Sequence, residues 1–166
     1  EVGALHDELC AELELLVPPA LSVLWTNRVP GRAIFAEREK VKTIVRNLLH
    51  NALKFTERGH VTLAAALTRA GALELVVSDT GCGIPAGAID RIFEMFHQVP
   101  GSGGGGVGLG LHIVRRFVEV LGGTVHVEST EGTGARFTIT LPPATEGLAR
   151  GSGGPAGAAG TGGEAG

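Results

Sequence analysis

The sequence predicts an α+β two-layer sandwich: one mixed, mostly antiparallel sheet covered on one face by about three helices. Three observations lead there. β-type runs come in pairs around short turn signals, at Ala70-Gly71 and at Glu131-Gly132-Thr133-Gly134. Segments with apolar residues every three or four positions are interleaved with those pairs. Beyond Pro143 the chain is nearly all Gly and Ala, too poor in large apolar residues to extend a core.

Leu5, Leu9, Leu13 and Leu16 recur at near-helical spacing, so residues 3–16 read as an amphipathic helix stopped by Pro18 and Pro19. Two short β-type runs follow, Leu21–Thr26 and Ala33–Ala36, with Pro30-Gly31 between them. From Glu37 to Phe55 the pattern is helical, with Val41, Ile44, Val45, Leu48, Leu49, Ala52 and Leu53 as its buried stripe. Residues 60–68 and 72–79 form the first predicted hairpin. Ala88–Phe96 reads as a short helix, His97–Gly106 as a breaker-rich loop, and Gly108–Leu121 as a helix stopped by Gly122-Gly123. Val125–Glu128 and Ala135–Leu141 form the last hairpin, ended by Pro142-Pro143. The expected domains are 1–17, a helix end or linker; 18–143, the folded domain; and 144–166, a disordered tail or linker.

Composition narrows the functional classes. A formal net charge of −3 gives no electrostatic footprint for nucleic acid and no polybasic membrane contact. Cys10 and Cys82 make no disulfide framework or C-x-x-C zinc pattern, which fits a reducing cytoplasmic setting. No apolar run approaches the ~20 residues that span a bilayer. The chain begins at Glu1 without a signal-peptide layout, so it reads as a fragment of a longer polypeptide that could be membrane-anchored.

Three segments carry chemistry. In Asn47-Leu48-Leu49-His50-Asn51-Ala52-Leu53-Lys54, the residues Asn47, Asn51 and Lys54 share one helix face. Two amides and an ammonium in line suit a metal-bound polyphosphate, the alternative being a solvated polar stripe. Asp79-Thr80-Gly81-Cys82-Gly83-Ile84-Pro85 follows the most apolar strand. A carboxylate there can accept from an exocyclic amine such as that of adenine, while glycines let the backbone approach a flat ring; the alternative is a plain turn. Gly101–Leu111 is glycine-rich and runs into a helix, whose free amides could cradle an anion. It lacks the Gly-Lys-Ser/Thr of a P-loop and follows no strand, as a dinucleotide fingerprint would; a flexible spacer is the alternative.

Together these segments resemble the catalytic domain of sensor histidine kinases, a branch of the superfamily that includes gyrase, a heat-shock chaperone and the MutL ATPases. Asn47–Thr56 is similar to the N box, Asp79–Ile84 to the first glycine box and Arg91–Phe96 to the F box. Gly106–Leu111 is similar to the second glycine box, and Gly132–Pro142 to the closing strand. The resemblance implies a Bergerat-type fold with a flexible lid, binding ATP with Mg2+. It implies Asn51 as magnesium ligand and Lys54 beside the phosphates, both serving catalysis, with Asn47 on the same face. Asp79 would bind the adenine amine, with Gly81, Gly83 and Ile84 around the ring and Thr138 reaching it through water. Gly106, Gly108, Leu109, Gly110 and Leu111 would form the lid hinge and donate amides, with Phe93 and Phe96 anchoring the other side.

Position 47 separates the subfamilies. The ATPase relatives place a Glu there to activate water, whereas an amide is no general base near neutral pH. That favours a kinase, which holds ATP for a His on a separate dimerisation domain and feeds a response regulator. The alternative is a non-catalytic nucleotide-binding module of the same fold, kept open because His97–Gly106 contains no Lys or Arg. His6 stands only 41 positions before Asn47, too near for the helical hairpin the family places between acceptor and N box. Residues 3–16 are therefore read as the end of the second dimerisation helix.

Overall fold

A sheet with one buried face needs apolar residues at every second position. In the computed structural model, which describes residues 8–9, 11–12, 17–29, 37–95 and 108–143, five strands form one sheet. They are β1 (Leu21–Asn27), β2 (Gly59–Leu67), β3 (Leu73–Asp79), β4 (Thr124–Thr130) and β5 (Gly134–Leu141), in the order β1-β2-β3-β5-β4. The β1–β2 pair is parallel and the other three are antiparallel, so the sheet is mixed and mostly antiparallel.

Register aligns the buried residues. Leu63 lies opposite Val77 and Ala65 opposite Leu75, while Leu73, Leu75 and Val77 lie opposite Leu141, Ile139 and Phe137. All eight of these positions are buried; Asp79, two residues beyond Val77, continues the same face at the sheet's end. 

Two helices cover this face. Helix α1 (Arg38–Phe55) buries Val41, Ile44, Val45, Leu48, Leu49, Ala52 and Leu53, the stripe expected from the sequence. Helix α2 (Gly110–Val120) buries Val114 and Val118. Burying each Leu, Ile or Val stabilises by about 1.5–3 kcal/mol, so this joint core is what fixes α1 on the sheet. The pieces of the expected N-terminal helix that are described, Glu8–Leu9 and Ala11–Glu12, lie against α1. Leu9 is buried, Glu8 pairs with Arg38 at 2.5 Å and with Lys42 at 3.1 Å, and Glu12 pairs with Lys42 at 2.7 Å.

Two predicted helices differ. Over 88–96 the structure has a 3-10 turn at Ala86–Arg91 followed by turns to Met95. So short a segment, with Gly87 inside it, cannot offset the cost of α-helix nucleation. The second glycine-rich helix begins at Gly110 rather than Gly108, because Gly108 has φ +70° and is left-handed. The β-run expected at Ala33–Ala36, the loop His97–Gly106 and the tail 144–166 lie outside the described residues.

The closing hairpin depends on Gly134, with φ +119°; a Cβ there would lie 2.0 Å from the Asp79 carbonyl oxygen. Gly132, with φ +78°, has open space beside it. Gly134→Ala is expected to cost about 3 kcal/mol or more and Gly132→Ala about 1 kcal/mol, measured by urea denaturation.

Candidate functional site

The last three turns of α1 carry the polar face. Asn47 donates from Nδ2 to the Thr43 carbonyl at 2.8 Å, which leaves its oxygen turned toward α2. A Cβ added at Gly110 would lie 3.1 Å from Asn47 Oδ1 and 3.9 Å from Asn51 Nδ2. Both amides therefore meet the N-terminus of α2, and only a glycine fits between them without displacement. The Lys54 ammonium lies 4.9 Å from the Phe55 ring centroid, on the same stretch of helix.

At its other end the site is built on the junction between α1 and the segment after β3. The Cys82 N–H donates to the Phe55 carbonyl at 3.1 Å. A Cβ at Gly81 would come 2.2 Å from that oxygen and 2.8 Å from Thr56 Oγ1. Asp79 ends β3 here and accepts from the Gly81 N–H at 2.9 Å. Burial pushes its carboxyl above the usual value of 3.8, a shift opposed by the Gly81 and Ala135 N–H groups and by the Thr56 hydroxyl. That hydroxyl is buried and lies against the carboxyl, whose charged form it favours.

The glycines have a different physical reason from the one expected. Gly81 is required by α1, and Gly83, with φ +68°, by the Thr130 carbonyl oxygen, which a Cβ would approach to 2.2 Å. They let the protein's own backbone segments meet. Ile84 is tied by its N–H to Ser129 Oγ at 2.8 Å and packs on the core. Leu109 precedes α2, Leu111 packs on the core, and no side chain caps the helix. The first-turn amides of α2 therefore lack helical partners beside Asn47 and Asn51, as an anion cradle requires.

One expected site residue is misplaced. Thr138 pairs with Val76 and His126, one position out of phase with Phe137 and Ile139, so it faces the side of the sheet away from α1 and α2. Ala135 is the β5 residue that reaches Asp79, through its backbone N–H. Phe96 and Gly106 lie outside the described residues. Phe93 packs on the core, and its carbonyl lies 3.3 Å from His112 Nδ1 of α2. Sequence reasoning missed Thr56, whose only signal was a hydroxyl directly after an apolar helix end.

The donor set fits a nucleotide: a carboxylate at one end, helix amides and two side-chain amides at the other, and glycines that keep the wall thin. Among the described residues there is no group of three or more His, Cys, Asp or Glu, so a metal here would depend on Asn51 and ligand oxygens. Residues 36–145 match the family described as histidine kinase-, DNA gyrase B-, and HSP90-like ATPase. The chain belongs to that family. It is 38% identical over 112 residues to the aerobic respiration control sensor protein ArcB of Escherichia coli K12, covering 65% of this chain and 14% of ArcB. It is 40% identical over 116 residues to the histidine protein kinase DivJ of Caulobacter vibrioides, covering 68% of this chain and 19% of DivJ. Full-length ShkA, solved with AMPPNP, superposes with a TM-score of 0.74 at 36% identity, covering 87% of this chain and 30% of ShkA. The mycobacterial sensor histidine kinase MprB gives 0.72 at 26% identity, covering 85% of this chain and 95% of that one. The chain is thus an ATP-binding catalytic domain of the histidine-kinase type that spans a small part of the curated relatives it matches. No described helix is long and apolar enough to cross a membrane.

Because Asp79 has a raised folded-state pKa, the folded domain holds that proton more tightly than the unfolded chain does. Stability is therefore lost as pH rises from 3.8 through the folded value, and the cost persists at neutral pH. Asp79→Asn is expected to raise the melting temperature of the ligand-free domain at pH 7, with a smaller gain at acid pH. The same change should weaken ATP by at least about tenfold, measured by calorimetric titration.

Proposed function

We propose that this domain binds ATP with Mg2+ and presents the γ-phosphate to a histidine on a separate dimerisation domain of the same kinase. A response-regulator aspartate would then receive the phosphoryl group. The observation that carries this reading is the meeting of Asn47, Asn51 and Gly110, on a helix whose other end abuts Asp79. Asn51 supplies a neutral oxygen for magnesium, and Lys54 and the α2 amides supply positive potential for the phosphates. Magnesium, when bound, neutralises polyphosphate charge. Asp79 accepts from the adenine amine.

Asn47 argues for transfer over hydrolysis. Its amide is anchored on the Thr43 carbonyl and has no basicity with which to activate water, so the nucleophile must come from outside. Positioning and charge neutralisation then supply the catalysis. The setting we propose is cytoplasmic, on a parent that could be membrane-anchored. A second reading, a non-catalytic nucleotide-binding module, is favoured by the lack of Lys or Arg in His97–Gly106.

Mixing the domain with a matching dimerisation domain and γ-labelled ATP is expected to give an acid-labile phosphohistidine, with little phosphate released by the domain alone. Binding without label transfer supports the module; steady phosphate release supports an ATPase. Asn51→Ala is expected to abolish the magnesium-dependent part of ATP affinity, and unchanged affinity would overturn the site.

A further inference from the structure

The start of α2 is packed more lightly than its middle. Val114 is the first side chain of this helix to be buried, Leu111 packs on the core only in part, and Gly110 has no side chain to pack. The Leu109 carbonyl accepts from the Ile113 N–H at 3.0 Å, so the N–H groups of Gly110, Leu111 and His112 come before the helical ladder. Gly110 meets α1 at Asn47 and Asn51. A second, directional contact comes from His112, whose Nδ1 lies 3.3 Å from the Phe93 carbonyl oxygen.

A carbonyl oxygen only accepts, so Nδ1 carries the proton and donates. Its acceptor is itself held in place: Phe93 packs on the core directly after Ile92, which is buried. His112 and Arg115 stand three apart and share one face of α2, and both reach Phe93. The Arg115 guanidinium lies over the ring at 5.9 Å, but it is exposed and paired with Glu119 at 3.1 Å. The imidazole therefore makes the firmer tie, and it makes it from a residue whose own N–H belongs to the first turn.

We propose that His112 is a positioning residue for the phosphate end of the site: its imidazole holds the first turn of α2 on the Phe93 backbone and so aims the N–H groups of Gly110, Leu111 and His112. This rests on the reading of those amides as the phosphate cradle, and it adds the group that aligns them. Hydrogen bonds weaken steeply as distance and angle depart from their optimum. A first turn free to shift would therefore lose affinity for the phosphates, while the base, at Asp79, would be held as before.

The test titrates the 166-residue chain with magnesium-ATP and with adenosine, which has no phosphates, and follows binding by NMR shifts. His112→Ala is expected to bind ATP about fivefold more weakly and adenosine within about twofold of wild type. His112→Asn, whose amide N–H takes the place of Nδ1–H, should restore ATP affinity. If His112→Ala fails to fold, His112→Leu must show the same selective loss. Unchanged ATP affinity in the folded Ala or Leu variant, an equal loss for adenosine, or a loss that Asn does not restore overturns the proposal. Gly110→Ala, which crowds Asn47 Oδ1 at 3.1 Å, separates the two readings. If it weakens ATP selectively while His112→Ala does not, the positioning role alone is wrong; if neither changes ATP affinity, the cradle reading fails, and this proposal with it.

Discussion

The site depends on one contact, where the end of α1 meets the backbone that leaves β3. Phe55 gives its carbonyl to Cys82, and Gly81 lies so close that no side chain fits. That contact sets Asp79 and Thr56 together, and α1 then fixes their offset from Asn51. Asn51 stands one turn before the helix end at Phe55, about 6 Å along the axis, and Thr56 follows directly. Such a spacing suits a ligand with a flat polar edge at one end and charge at the other. The large apolar stripe of α1 holds this geometry on the sheet, so core packing and ligand recognition share one element.

The recognition role proposed for Asp79 runs against stability. The register places it on the apolar face, in line with Val77 and opposite Val61, where an ionised carboxyl is disfavoured. Two backbone N–H groups offset part of the cost. The buried Thr56 hydroxyl offsets a further part.

The other end is joined to α2. Gly108 turns the chain in the left-handed region, and Gly110 then enters the helix against Asn47 and Asn51. Phe93 and His112 connect the segments on either side of the loop, and Arg115 lies over the Phe93 ring at 5.9 Å. These contacts tie the segment that holds Phe93 to the first turns of α2.

The sequence by itself determined the elements and the chemistry they offer. Period-two alternation in β2, β3 and β5 and the apolar stripe of α1 are local patterns, so the hairpins and this helix could be read directly, though not every boundary. Asn47, Asn51, Lys54 and Asp79 were legible because their spacing and strand-end position are local too. Tertiary structure alone decided which face of β5 carries Thr138, since pairing register with β3 and β4 sets that. It alone showed that Gly81 and Gly83 accommodate protein backbone, and that Thr56 is buried against Asp79. These facts arise between segments far apart in the chain, and no periodicity within one segment encodes a distance to another.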